Sequence, residues 1–238
     1  KTEFISVAAH QLRTPLSAIK WTLTSILDEE SENLSASLRA HLFKAAENTE
    51  RMINLLGDML VVSRIESGKM QYRLTPIHIE DLIDSVLLDF EAQARSRHIV
   101  LTHVKLETRL PLVLIDPDKI HAVLQNLVEN ALNYTKDGGE VQVSASAENT
   151  IVRVEVKDNG IGIPKHQQPG LFNKFYRAEN AVRVKTDGSG LGLFVAKSII
   201  EGHKGEIGFE SVEGEGSNFY FTLPSITSSD RSEESNGV

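Results

Sequence analysis

The chain has 238 residues, with 25 Lys and Arg against 33 Asp and Glu, and the resulting formal charge of −8 argues against a broad nucleic-acid-binding role. Apolar residues at 40% and charged residues at 24% are ordinary globular values, enough for a real core in one large domain or two modest ones, and they argue against general disorder. The absence of Cys excludes disulfide frameworks, thiolate metal sites and cysteine nucleophiles and fits a reducing compartment, and no stretch approaches the ~20 apolar residues of a membrane span or reads as a signal peptide.

The chain opens at Lys1 rather than Met and runs at once into apolar periodicity, which reads as a fragment of something longer. Phe4, Ile5, Ala8, Leu12, Leu16, Ile19, Leu23 and Ile26 form one stripe of a 3.6-residue period and predict a helix to about Leu27. The polar stretch from Asp28 to Ser37 reads as a hairpin loop. A second helix follows, with a heptad seam of Leu38, Leu42, Ala45, Thr49, Met52, Leu56, Met59 and Ser63. Two helices with one apolar stripe each are expected to dimerise into a four-helix bundle, the competing arrangement being a monomeric hairpin packed on the rest of the chain.

Past Ser67, Gly68, Thr75 and Pro76 the pattern becomes mixed, which divides the chain into a helical domain over 1–68, a linker over 69–75 and a second domain over 76–224. Helices are predicted near His78–Arg95, Pro117–Tyr134 and Leu191–Gly202. Strands are predicted near Ile99–Lys105, Val141–Ala147, Ile151–Lys157, Glu206–Ser211 and Asn218–Leu223, an α+β layered design. The passage from Ile163 to Gly190 has little periodicity and reads as a lid, and 225–238, with five Ser and almost nothing apolar, as a disordered tail.

Several residues could carry chemistry. His10 falls almost opposite the apolar stripe of its helix, Thr14 lies one turn further on the same face, and Pro15 removes the amide that would bond the Gln11 carbonyl. Asn126, Asn130 and Tyr134 share a helix face at four-residue spacing, where amide oxygens can reach a hard cation such as Mg²⁺; surface Asn is the plainer reading. Asp158, Gly160 and Gly162 follow an apolar strand, either as a simple turn or as a place where backbone approaches a flat ligand. Gly188, Gly190, Leu191 and Gly192 run into a helix whose free amides favour phosphate, or form only a tight helix entry. His98 and His103 are expected as ordinary surface or core histidines, so no metal other than Mg²⁺ is implied.

In this order the residues resemble the transmitter module of bacterial two-component sensor histidine kinases over Lys1 to Pro224. HQLRTPL at 10–16 is similar to the family's H box, NLVENALNYT at 126–135 to its N box, and Asp158–Gly162 to its first glycine box. FNKFYR at 172–177 is similar to the lid's phenylalanine box, and GSGLG at 188–192 to the second glycine box. The resemblance implies a phosphotransfer hairpin dimerising as a four-helix bundle, followed by an α/β-sandwich ATP-binding domain of the GHKL (Bergerat) fold. It implies an ATP-dependent protein histidine kinase with His10 as phosphoacceptor, Gln11 beside it, and Thr14 at the position linked to dephosphorylating a regulator. It further implies Asn130 as the Mg²⁺ ligand with Asn126 as a polar neighbour, and Asp158 on the adenine amino group. Tyr134, Gly160, Gly162, Phe172, Phe175, Gly188, Gly190, Leu191 and Gly192 complete the ATP site, with Arg177 near the phosphates. The implied partners are a second copy of the chain and the receiver domain of a separate response regulator, in the cytoplasm, with any membrane attachment through a region outside this sequence.

Two departures stand out. The family commonly carries Glu or Asp after the phosphoacceptor, where Gln11 can fix the imidazole tautomer but cannot take up a proton. The family also often has Lys before the N-box Tyr, where Asn133 stands, with Lys136 two residues past the Tyr. Two other readings remain open. One is a conformational ATPase like the gyrase and MutL relatives, disfavoured by Asn126 at their general-base Glu position. The other is a nucleotide-responsive pseudokinase or phosphatase-dominant module, for which Gln11 speaks.

Overall fold

The computed structural model describes residues 2–29 and 34–226, with the side chains of 2–8, 10 and 29 outside that description. The chain forms two compact units, Lys1–Met70 and Gln71–Val238.

The first unit is a helical hairpin, α1 (Thr2–Glu29) and α2 (Ala36–Glu66). Helix α1 runs through Pro15 as one element, and α2 starts at Ser35, whose hydroxyl accepts the Leu38 N–H at 3.2 Å. Of the predicted hairpin loop, residues 30–33 lie outside the described residues, as does the predicted orientation of the His10 side chain. The expected single stripe on α1 is divided. Ala9 is buried and Arg13, Leu16, Lys20, Leu23 and Leu27 are half-buried, whereas Leu12 and Ile19 are 53% and 49% exposed. On α2 the seam residues Thr49 and Ser63 are buried, but Leu38 and Met52 are exposed. One chain has a single inward seam, so the apolar residues about 100° away from it face outward.

The second unit begins with β1 (Thr75–Ile77), α3 (Ile79–Ser96), β2 (Val100–Val104), β3 (Val113–Ile115) and α4 (Pro117–Tyr134). It continues with β4 (Glu140–Glu148), β5 (Ile151–Asp158), a 3₁₀ turn at Lys165–Gly170, α5 (Glu179–Val184), α6 (Gly192–Gly202), β6 (Ile207–Val212) and β7 (Gly216–Pro224). Five strands form a mixed sheet in the order β2-β4-β5-β7-β6, parallel only between β2 and β4, and β1 pairs antiparallel with β3 apart from it. The sequence reading missed β1 and β3, which at three residues are too short for alternation to register, β1 carrying Pro76 as well.

Strand alternation places Val141, Val143 and Ala145 of β4, Val152, Val154 and Val156 of β5, and Phe219, Phe221 and Leu223 of β7 inward, all buried. Against them lie the buried faces of α3 (Ile79, Ile83, Val86), α4 (Ile120, Val123, Leu124, Leu127, Val128, Leu132) and α6 (Ala196, Ile199, Ile200). The opposite sheet face is polar, with the Arg153 guanidinium 3.6 Å over the Tyr220 ring and bonded to Glu155 at 3.1 Å. The segment expected as a linker carries contacts of this unit: Arg73 donates its N–H to Asp116 at 2.9 Å, and Thr75 pairs with Ile115. At the other end, Ser225 and Ile226 donate to the carbonyls of Thr150 and Leu112, while the rest of the predicted tail, 227–238, lies outside the described residues.

Both ends of α4 are closed. Asp116 caps the first turn through the Lys119 N–H at 3.2 Å, and Pro117 occupies the position where a missing N–H costs nothing. At the other end Arg97 donates to the carbonyls of Leu132 and Thr135, the latter at 2.7 Å, and to Asp137 at 2.9 Å. Arg97→Met keeps the stem and deletes those donors, and should lower the stability of this unit by about 1–3 kcal/mol in denaturant unfolding.

Candidate functional site

Helix α4 turns Asn126, Asn130 and Tyr134 onto the edge of its buried stripe, where all three are half-buried. Asn130 Nδ2 donates to Asn126 Oδ1 at 3.3 Å, which leaves Asn130 Oδ1 as the free acceptor of the pair. The N-terminus of α6 comes directly against Asn126: a Cβ at Gly192 would stand 2.0 Å from Asn126 Nδ2. The N-box helix and the second glycine box therefore meet at one point, where any larger residue would displace the Asn126 amide.

Asp158 ends β5 with 7% of its surface exposed. Its Oδ1 accepts the Gly160 N–H at 2.8 Å, and no salt-bridge cation approaches it among the described residues. Burial pushes its pKa up to about 6, against the downward pull of the Gly160 and Ser217 N–H groups. Gly160 packs beneath the Tyr134 carbonyl, 2.3 Å from where a Cβ would stand, and Ile161 donates to that same carbonyl at 3.1 Å. Gly162 has φ +59° and lies against the Val212 carbonyl. The first glycine box is thus wedged between the end of α4 and the β6–β7 hairpin.

The predicted lid is more structured than expected. Gln168 Nε2 donates to the Ile163 and Ser211 carbonyls, both at 3.0 Å, and the buried Gln167 accepts the Glu179 N–H at 2.8 Å through Oε1. Tyr176 Oη donates to the Gln167 carbonyl at 2.8 Å, and Asn180 Nδ2 to that of Gly162, also at 2.8 Å. These four polar side chains tie 163–180 together and, through Gln168 and the Ser211 carbonyl, to β6. They escaped sequence reading because a buried amide looks like any surface Gln or Asn until its partners are placed.

Phe172 sits at 5.9 Å from Phe209 and belongs to an aromatic cluster, whereas Phe175 is 61% exposed at φ +61°, an uncommon backbone for a non-glycine residue. Gly190, at φ +65°, backs onto the Phe175 main chain, and Gly188 lies against Arg177. Arg177 itself donates to the carbonyls of Lys185 and Thr186, the latter at 2.7 Å, so the lid's guanidinium is closed on the lid. Ser189 Oγ accepts the N–H of the buried Leu191 at 3.2 Å. Asn133 donates to Glu129 at 3.4 Å, and Lys136 is exposed. All of these residues belong to the second unit. Gln11 and Thr14 stand exposed on α1 of the first, with His10 in the same helix.

An Asp that titrates near 6 when folded and in the ordinary range when unfolded binds protons more readily in the native state, so it costs stability above pH 6 and stops doing so as pH falls. Asp158→Asn should therefore stabilise the unit above that pH by up to about 3 kcal/mol, with the gain vanishing below about pH 4 in unfolding measured as a function of pH.

The family model described as His Kinase A (phospho-acceptor) domain matches residues 1–68, and that described as Histidine kinase-, DNA gyrase B-, and HSP90-like ATPase matches residues 115–227. Sensor histidine kinase WalK of Bacillus subtilis is 36% identical over 226 residues, 94% of this chain and 36% of the relative. Drug sensory protein A of Synechocystis is 36% identical over 94% of this chain and 35% of its own length. Full-length ShkA, solved in complex with AMPPNP, superposes with a TM-score of 0.78 at 26% identity over 96% of this chain and 47% of that one. The catalytic domain of histidine kinase ThkA matches with a TM-score of 0.57 at 32% identity over 64% of this chain and 96% of that one. The chain spans about a third of the length of the curated relatives it matches.

Proposed function

The chain belongs to the two-component sensor histidine kinases, as their transmitter module, and from that premise we propose that it transfers the γ-phosphoryl group of ATP to His10 and then to an Asp of a separate response regulator. The observation that carries the reading is Asp158, a buried carboxyl without a cation, kept beside two glycines at a cost to stability. The exocyclic amine of adenine is a donor that an ionised Asp158 accepts, while Gly160 and Gly162 let the turn pack on the Tyr134 and Val212 carbonyls and so hold that carboxylate in place. The loop from Gly188 to Gly192 opens α6, whose free N–H groups and positive end suit the phosphates. Arg177 joins them once it releases the carbonyls of Lys185 and Thr186.

The residues present fit Mg²⁺. Asn130 Oδ1 is one free hard ligand, and among the described residues no cluster of acidic or His side chains would hold the ion by itself, which suits a cation carried largely by phosphate and water. When bound, Mg²⁺ neutralises phosphate charge.

In the transfer an unprotonated imidazole nitrogen of His10 attacks phosphorus as the bond to the β–γ bridging oxygen breaks and ADP leaves. The exposed Gln11 amide can orient the ring but takes up no proton. Thr14, exposed one turn on, supports a second activity in hydrolysing the regulator's acyl phosphate. Leu12, Ile19, Phe43 and Met52, all about half exposed or more on one hairpin, support a homodimer closing as a four-helix bundle.

Incubation with Mg²⁺ and γ-labelled ATP should give alkali-stable, acid-labile label on the parent and none on His10→Ala. No label with nucleotide binding intact would favour a pseudokinase. Gln11→Glu should raise the labelling rate by about tenfold, less than a full general-base effect because Gln11 already orients the ring. Thr14→Ala should lengthen the lifetime of a phosphorylated cognate regulator without reducing labelling. Nucleotide affinity should fall as pH drops through about 6, where Asp158 takes up its proton, in calorimetric titrations on either side of that value.

A further inference from the structure

Asp116 and His203 are each 5% exposed and belong to neither glycine box nor the Asn126–Asn130 face. Asp116 Oδ1 accepts the Lys119 N–H at 3.2 Å, and Oδ2 accepts the Arg73 N–H at 2.9 Å. The Asp116 N–H donates to His203 Nε2 at 3.0 Å, and His203 Nδ1 lies 2.7 Å from the Ile199 carbonyl. A nitrogen facing a carbonyl carries the proton, and one facing an N–H supplies a lone pair, so His203 is held as a single neutral tautomer. Burial, which lowers its pKa, agrees with that state. The Tyr72 ring packs edge-on to this imidazole at 4.6 Å and lies over Gly202, where a Cβ would stand 2.2 Å from Tyr72 Oη.

Residues 71–74 are the first of the second unit, directly after the phosphotransfer hairpin in the chain. They are fastened to α4 through Asp116 and to α6 through His203. The same two helices meet again at Asn126 and Gly192. Ten residues separate Asp116 from Asn126 and eleven separate Gly192 from His203, spans of about 15 Å and about 16 Å at helical rise. The helices are therefore pinned to each other at two matched points, one beside the connecting segment and one beside the glycine box. A slide or rotation of α6 on α4 that loosens one pin displaces the other.

We propose that Tyr72, Asp116 and His203 are positioning residues that make nucleotide affinity depend on the seating of the connecting segment 71–74. This rests on the reading of the Asn126–Gly192 region as the nucleotide site. Linkage makes the effect reciprocal: bound nucleotide tightens the segment by the factor by which the seated segment tightens nucleotide binding. Tyr72 packs on the pin at His203 and Gly202 and is not among the residues assigned to ATP, so its substitution tests the coupling.

The test is amide hydrogen exchange at Arg73 in the whole chain, with and without Mg²⁺-ADP, together with ADP binding by calorimetry for the parent, Tyr72→Ala and Tyr72→Phe. ADP is expected to slow Arg73 exchange by about fivefold or more in the parent. Tyr72→Ala should weaken ADP binding by a similar factor and abolish the exchange response, and Tyr72→Phe, which keeps the ring edge against His203, should restore both. ADP binding in the parent with unchanged Arg73 exchange would overturn the coupling and leave the site reading standing. So would a folded Tyr72→Ala that binds ADP as the parent does. No ADP binding by the parent would overturn the site reading and the coupling with it. The parent measurement decides the question even if Tyr72→Ala fails to fold.

Discussion

The packing of α4 on the sheet is the contact from which the second unit is organised. One face of this helix buries Ile120, Val123, Leu124, Leu127, Val128 and Leu132 against β4 and β5, which fixes its rotation about its own axis. That rotation leaves Asn126, Asn130 and Tyr134 on the rim, where Asn126 meets Gly192 and the Tyr134 carbonyl meets Gly160. Both glycine boxes are positioned by contact with this helix. A residue lost from the apolar face would shift the amides on the rim as well as leave a cavity, since close-packed interiors transmit displacement.

The glycines of the two boxes are packed first against the protein itself. Gly160, Gly162 and Gly192 each stand where a Cβ would strike Tyr134, Val212 or Asn126, and Gly162 and Gly190 also use positive φ. These close approaches give the site fixed walls before any ligand arrives, a condition for electrostatic preorganisation. Asp158 shows the opposing cost. Its carboxyl is kept out of water with only N–H groups to offset the desolvation, a local destabilisation of the kind that concentrates at functional sites. The exposed, positive-φ Phe175 is a second instance, in a lid whose first half is bound down by Gln167, Gln168 and Asn180.

In the first unit apolar surface is divided between two seams. Ala9, Thr49 and Ser63 are small and buried, which lets α1 and α2 approach closely, while Leu12, Ile19, Phe43 and Met52 remain in water. A hairpin of two helices has too little interior to cover every apolar residue of both stripes. The residues left outside carry the larger side chains, as befits positions that gain most from a second interface.

The sequence alone determined the secondary elements that are long and amphipathic. It placed α4 at Pro117–Tyr134, where Asp116, Pro117 and the apolar spacing act within a few residues of one another, and it marked Asp158 and the runs of glycine as turns able to approach a ligand. It left open whether the Asn pair was surface decoration, showed no sign of β1 or β3, and treated the lid as irregular. Tertiary structure decided those points, along with the close approach of Gly192 to Asn126 and the Asp116–His203 pair, whose members stand 87 residues apart in the chain. Helical spacing, caps and turns are local interactions and can be read along the chain. Burial of a carboxyl, the tautomer of an imidazole and the partners of a buried amide depend on which distant segments return to surround them, and only the packed fold brings those segments together.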